Sequence, residues 1–354
     1  MTIRFVTCFM IAGCAIGGND TTSGDQDIVG GFPARSEKFD AIGMLYGVRS
    51  TGPAPICSGT LIGPHTVLTA GHCVHPSGAP FNIIDRFPVF FAIGYDSAAP
   101  TKRVRAVWGG ETTVAGNDVG VYELEEDVEG VTPIAFSDAP LTDADIGKKA
   151  WIAGYGLQDS GQNFLQFLTR RAAKFDITTF EAKPLAVMFP DFATFKTFME
   201  TNAGKSFTDA QVSILWDLNE IRPGDVWVGK PNAPQASYLD SGAPLLLNVD
   251  DVLTIEGVNV RSYRADPTVP TTGTNKDMLP VGSAVAMVGI DGTREFVDHA
   301  LTDPCRNVTS NGHCSATLAV RCPAELPTPI VTTLDCADLG TTCAVDASGV
   351  AGCQ

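Results

Sequence analysis

From Phe39 to Gly156 the chain is cut into short apolar runs separated by turn residues: "FDAIGMLYGV", "GTLIGPHTVLTA", "RFPVFFAIGY", "KRVRAVWG", "DVGVYELEE" and "AWIAGYG". Each is short and rich in β-branched or aromatic residues. Strands of a sandwich or barrel have this length and spacing. Helical periodicity is absent until about Pro190, where "DFATFKTFMETN" and "FTDAQVSILWDLNEI" place apolar residues three and four apart. Asp191 and Thr208 stand where N-caps belong, because a short oxygen-bearing side chain can satisfy the free amides of a first turn. Strand-like runs return in "DVWVG", "APLLLNV", "LTIEGVNV" and "GSAVAMVGI", and "TREFVDHAL" predicts one closing helix. No repeat of solenoid or propeller length is present.

The ten cysteines divide the chain further. Cys8 and Cys14 lie near the start, Cys57 and Cys73 form a close pair, and six crowd the segment after Cys305. No C-x-x-C pair occurs, so disulfides made in an oxidising compartment are the better reading than zinc. The opening "MTIRFVTCFMIAGC" has one basic residue and an apolar run too short to span a bilayer, as a signal peptide does. Its end, Ile11 to Cys14, resembles a bacterial lipobox. Lipidation at Cys14 and plain secretion both fit. The expected boundaries are a leader over 1–14, a Gly/Asp/Ser/Thr-rich spacer over 15–27, a main domain over 28–304 and a Cys-rich segment over 305–354. That last segment is too small to build a sufficient core and would lean on disulfides. Its six cysteines allow about 15 pairings.

Four motifs carry chemistry: "IVGG" from Ile28, "CSGTLIGPHTVLTAGHC" ending in His72-Cys73, "NDVGVYELEEDV" opening with Asn117-Asp118, and "YLDSGAPLL" around Ser241. Singly each has a bland reading as a turn or a strand start. Together, in this order, they resemble the trypsin/chymotrypsin family of serine peptidases over roughly Ile28 to Leu301. The resemblance implies an all-β fold of two six-stranded antiparallel barrels, with a C-terminal helix, a helical insertion and the disulfide-rich tail as additions. It implies a Cys57–Cys73 disulfide beside the histidine. It implies a triad in which His72 is the base, Asp118 orients it and Ser241 is the nucleophile. The oxyanion would be held by the backbone amides of Leu239 and Ser241. Cleavage before Ile28 would free an ammonium to pair with Asp240, making the chain a zymogen. Such chemistry needs no cofactor and no metal.

The resemblance departs from the family at the nucleophile loop. Leu239 stands where the family has glycine, and two outcomes are open: the amide stays in place, or the Cβ tilts it away at a cost of roughly 10²–10³ in rate. Ser237 replaces a cysteine of a family disulfide. The pocket residues align as Gln235, Val260, Ser262 and Gly282, without an acidic floor, and Arg261 falls where an aromatic residue is usual. These features imply a neutral or altered pocket. The stretch from Phe164 to Glu220 exceeds the usual loop. Two functions compete: a secreted serine endopeptidase acting on proteins or peptides, and a silent homologue that binds a protein. The first is preferred because the triad and the activation motif occur together. A net charge of −16 argues against nucleic acid as a partner. The resemblance and the leader imply a secreted or cell-envelope protein, with membrane anchoring if Cys14 is lipidated.

Overall fold

The computed structural model describes Ile28 and residues 31–76, 79–157, 168–218, 220–249, 251–264, 278–303, 305–323 and 331–354. The expected leader, spacer and Cys14 lie outside the described residues, as do two residues of the "IVGG" motif.

The apolar runs become strands of two barrels. The first barrel is built from β2 (Ile42–Arg49), β3 (Gly52–Leu61), β4 (Thr66–Ala70), β5 (Val89–Ile93), β6 (Lys102–Glu111) and β7 (Val119–Leu124), after the short β1 (Phe32–Pro33). It closes in the order β2-β3-β4-β7-β6-β5. The second contains β8 (Lys149–Gly154), β9 (Arg171–Thr179), β10 (Asp225–Val228), β11 (Pro244–Val249), β12 (Val252–Arg264) and β13 (Met278–Met287). Its order is β9-β10-β13-β12-β11-β8, closed by β8–β9 pairing, with β1 added at β9. All pairings are antiparallel. Register shifts at Leu45/Tyr46, Ala106/Trp108 and Asn259/Arg261 mark bulges, which bend a strand sharply enough to let a sheet close. The fully buried Arg170 ties the barrels together, donating to the Ala34 and Ile42 carbonyls and to Asp40.

The insertion is helical, as its periodicity predicts: α1 (Pro184–Met188), α2 (Phe192–Ala203) and α3 (Asp209–Leu218), between β9 and β10. Asp191 caps α2 by accepting the Thr194 amide at 2.8 Å. Thr208 and Gln211 bond reciprocally at the start of α3, the Thr208 hydroxyl accepting the Gln211 amide. Phe189, Phe195, Phe198 and Trp216 form an aromatic cluster that fastens the helices. The closing helix is α4 (Thr293–Thr302). Among the described residues no helix is long and apolar enough to cross a membrane.

The tail forms a sheet of β14 (His313–Ser315), β15 (Leu318–Arg321) and β16 (Thr332–Asp335), and a hairpin of β17 (Cys343–Val345) and β18 (Ala351–Cys353). Its disulfides are Cys305–Cys322, Cys314–Cys343 and Cys336–Cys353. It docks on the first barrel through Val308, Leu318 and Val320 against Val107 and Trp108. Arg306 locks the junction, donating to the carbonyls of Leu124 (2.6 Å) and Glu125 (2.8 Å) and facing Asp127 at 3.3 Å. Hydrogen bonds from a charged donor contribute about 1.5–3 kcal/mol. Arg306→Ala is therefore expected to raise the rate of limited proteolysis next to Asp303 by about 10–100-fold. An unchanged rate would show that the apolar seam alone holds the tail.

Candidate active site

The histidine turn follows from the barrel's register. Strand β4 pairs with β7 so that Ala70 faces Val119. Asp118, one residue before β7, therefore meets the turn Gly71–Cys73 that follows β4. The Gly71 amide donates to the Asp118 carbonyl at 3.0 Å. Both carboxylate oxygens are then used: Oδ1 accepts the His72 amide at 2.8 Å, and Oδ2 faces His72 Nδ1 at 2.8 Å. Burial pushes the Asp118 carboxyl up, but the hydrogen bonds and charge of His72, with Arg222, outweigh it and hold the group below its ordinary value. An ionised carboxylate only accepts, so a proton sits on Nδ1, and the lone pair of the neutral ring is the one on Nε2.

The Cys57–Cys73 disulfide, with Cα atoms 6.1 Å apart, pins this turn to β3. It also removes the one compact set of metal-type ligands among the described residues, Cys57, His72 and Cys73, since oxidised sulfurs are not thiolates.

Ser241 arrives from the second barrel. The Ser58 amide donates to its carbonyl at 2.9 Å, placing it beside Cys57 and hence beside the pinned turn. Gly242 has φ +80°, and a Cβ there would collide with Thr69 Oγ1 and the Ser58 carbonyl. Only glycine lets the loop lie so close to β4. The Ser241 side chain is partly exposed, and its hydroxyl makes no hydrogen bond among the described residues, to His72 included.

Asp240 is fully buried. It accepts the Gly156 amide at 2.8 Å and the Ser237 amide at 2.8 Å, and lies 3.2 Å from the Ser237 hydroxyl. Ser237, which replaces the family's cysteine, thus holds the loop by hydrogen bonds instead. Burial drives the Asp240 carboxyl up to about 6 against these donors. Asn259 adds a bond from Nδ2 to the Asp240 carbonyl at 3.1 Å, a buried contact that nothing in its strand pattern announces. Ile28 is fully buried, in the apolar cluster of the second barrel with Ala243 and Leu245.

Leu239 has φ +76°. A left-handed residue with a Cβ costs roughly 1–2 kcal/mol. Its side chain is only 4% exposed and belongs to the main apolar cluster. Burying a leucine contributes about 1.5–3 kcal/mol, enough to offset that strain. The Tyr238 carbonyl accepts the Leu157 amide at 2.8 Å. Across a planar trans peptide the Leu239 N–H must then point the opposite way, away from Leu157. Neither it nor the Ser241 N–H is hydrogen-bonded among the described residues. The leucine has kept the glycine-like backbone.

The four expected pocket residues all belong to the second barrel, Gln235 between β10 and β11, Val260 and Ser262 on β12, and Gly282 on β13. Gln235 and Val260 are both buried. Ser262 Oγ lies 3.4 Å from Ser283 Oγ across β12 and β13. Gly282, at φ +129°, packs where a Cβ would strike the Val228 carbonyl and the Trp227 ring. The sequence reading did not single out Arg222. It lines a polar pocket with His72, His75, Glu111, Asn117 and Asp118. Arg261 reaches the insertion, donating to the Glu220 carbonyl at 3.1 Å.

Residues 28–178 match the Trypsin family model. The match spans the first barrel and the first two strands of the second, and ends before Ser241. That match and the two closed six-stranded antiparallel barrels fit a trypsin/chymotrypsin-like serine peptidase. No curated protein matches the chain as a relative.

Proposed function

We propose that this protein is a secreted serine endopeptidase using His72, Asp118 and Ser241. The observation that carries the reading is the double hydrogen bond from His72 to Asp118, which leaves Nε2 free to accept a proton. Ser241 Oγ attacks the scissile carbonyl carbon while Nε2 takes the hydroxyl proton. The carbonyl oxygen gathers charge facing the unengaged Leu239 and Ser241 amides. The C–N bond then breaks, Nε2 protonates the leaving amine, and an acyl-enzyme remains. Water repeats the sequence and restores the serine.

Activation belongs to the same proposal. Cleavage before Ile28 would deliver an ammonium to Asp240, whose burial lacks a cationic partner among the described residues. Pairing offsets the cost of an isolated buried carboxylate. Ile28 already lies in the apolar cluster that includes Ala243, three residues beyond Asp240. Four disulfides suit an oxidising compartment, secreted or in a bacterial envelope. Protein or peptide chains are the substrate, and a lipidated Cys14 would anchor the unprocessed form to a membrane.

The test is labelling of the exported full chain with a fluorophosphonate, followed by N-terminal sequencing of the labelled form. Labelling is expected in the wild type and absent in Ser241→Ala. A labelled form starting elsewhere than Ile28 removes the activation scheme. A folded, correctly processed chain that takes no label would instead be a silent homologue that binds a protein.

A further inference from the structure

Leu239 is the one strained residue in the nucleophile loop that carries a large side chain, and a strained residue persists only where its surroundings over-determine it. Two contacts hold its flanking peptides. On one side is the Leu157 amide on the Tyr238 carbonyl. On the other is Ser58, whose hydroxyl donates to the Leu239 carbonyl at 3.0 Å. The Ser58 hydroxyl oxygen in turn accepts the Tyr155 amide at 3.0 Å. Ser58 is fully buried, so no bulk water stands ready to replace either bond. Its own amide holds the Ser241 carbonyl at 2.9 Å, and its carbonyl is fixed by Thr69 Oγ1 at 2.8 Å. One residue of β3 therefore grips the carbonyls of Leu239 and Ser241, the two residues whose amides are unengaged.

We propose that Ser58 is a positioning residue for the oxyanion-stabilising amides, and that its hydroxyl is what lets a leucine serve at position 239. This rests on the serine peptidase reading. With the hydroxyl present, the Leu239–Asp240 peptide is fixed and φ stays positive. Without it, the leucine relaxes toward negative φ, the preceding peptide turns, and the Leu239 N–H leaves its direction. A glycine at 239 has no such preference and would hold the conformation with or without the clamp.

The test is a double-mutant cycle in the exported, processed full chain, reading the second-order rate of fluorophosphonate labelling at Ser241. Ser58→Ala is expected to slow labelling by about 10²-fold, the size of losing one oxyanion donor. In the Leu239→Gly background the same change is expected to cost less than about 3-fold, because glycine populates positive φ freely. Thermal unfolding, followed in parallel, should fall by similar amounts in both backgrounds, since the Tyr155 amide loses its acceptor in each. If Ser58→Ala does not fold, Ser58→Gly takes its place in the cycle. Equal losses of rate in both backgrounds would overturn the proposal, as would a wild-type labelling rate in folded Ser58→Ala. A wild type that takes no label sinks the peptidase reading itself, and the clamp with it.

Discussion

Asp118→Asn is expected to lower turnover by about 10⁴, the size of this change at a serine-peptidase triad, while the protein stays folded. The reason lies in the count of acceptors. His72 presents two donors to this side chain, its amide at Oδ1 and Nδ1–H at Oδ2. A carboxylate accepts both. An asparagine accepts one and must turn its own N–H toward the other. If its oxygen keeps the backbone amide, its amide nitrogen faces Nδ1 and forces the ring proton onto Nε2. The base is then already protonated on the face that should receive the serine proton. Turnover on a peptide substrate, with thermal unfolding as the control for folding, checks this. A loss under about tenfold would mean that His72 keeps its tautomer without the carboxylate and that Asp118 is structural.

Glu123→Gln is expected to stabilise the protein near pH 8 by about 2–3 kcal/mol and to leave it unchanged near pH 4. Glu123 lies on β7 with its side chain fully buried. Oε2 accepts the Thr66 hydroxyl at 3.1 Å, and Oε1 has no partner. Burial pushes its carboxyl up to about 8, against the Thr66 bond and Arg306. The folded state thus holds a proton that the unfolded chain releases at the ordinary carboxyl value. A raised folded value contributes stability fully below the unfolded value, and that contribution is lost as pH rises through about 8. Glutamine removes the titration. Urea unfolding at the two pH values reads the difference, and an equal effect at both would show that burial of the charge is not what governs this site.

Much of the fold was legible because strand runs and helix caps are local signals. Asp191 caps the helix it was expected to cap, and the apolar runs from Phe39 to Gly156 became barrel strands. The histidine turn was legible for a related reason: Cys57, His72 and Cys73 lie within one short motif. What could not be read were contacts between distant residues. Ser58 and Leu239 are 181 positions apart, and nothing in "CSGT" announces that its serine reaches a carbonyl in the other barrel. Arg222 follows a helical insertion whose path the sequence leaves open, so its approach to Asp118 appears only in three dimensions. The tail's pairing is the same case. Six cysteines are equivalent on paper, and the fold of the short sheets chooses Cys305–Cys322, Cys314–Cys343 and Cys336–Cys353. Leu239 taught the opposite lesson. Sequence located the question, and burial of the side chain with fixed neighbouring peptides answered it.

Those three tail disulfides all begin and end within the tail. No sulfur bridge crosses to the barrels, so a single backbone connection near Asp303 tethers one body to the other. A tether so short keeps the partner surfaces at millimolar effective concentration, and a face too weak to hold a free partner can stay closed. One nick at that connection would turn an intramolecular contact into an ordinary dilution-dependent equilibrium, and the surface around Val107 and Trp108 would become available to another ligand.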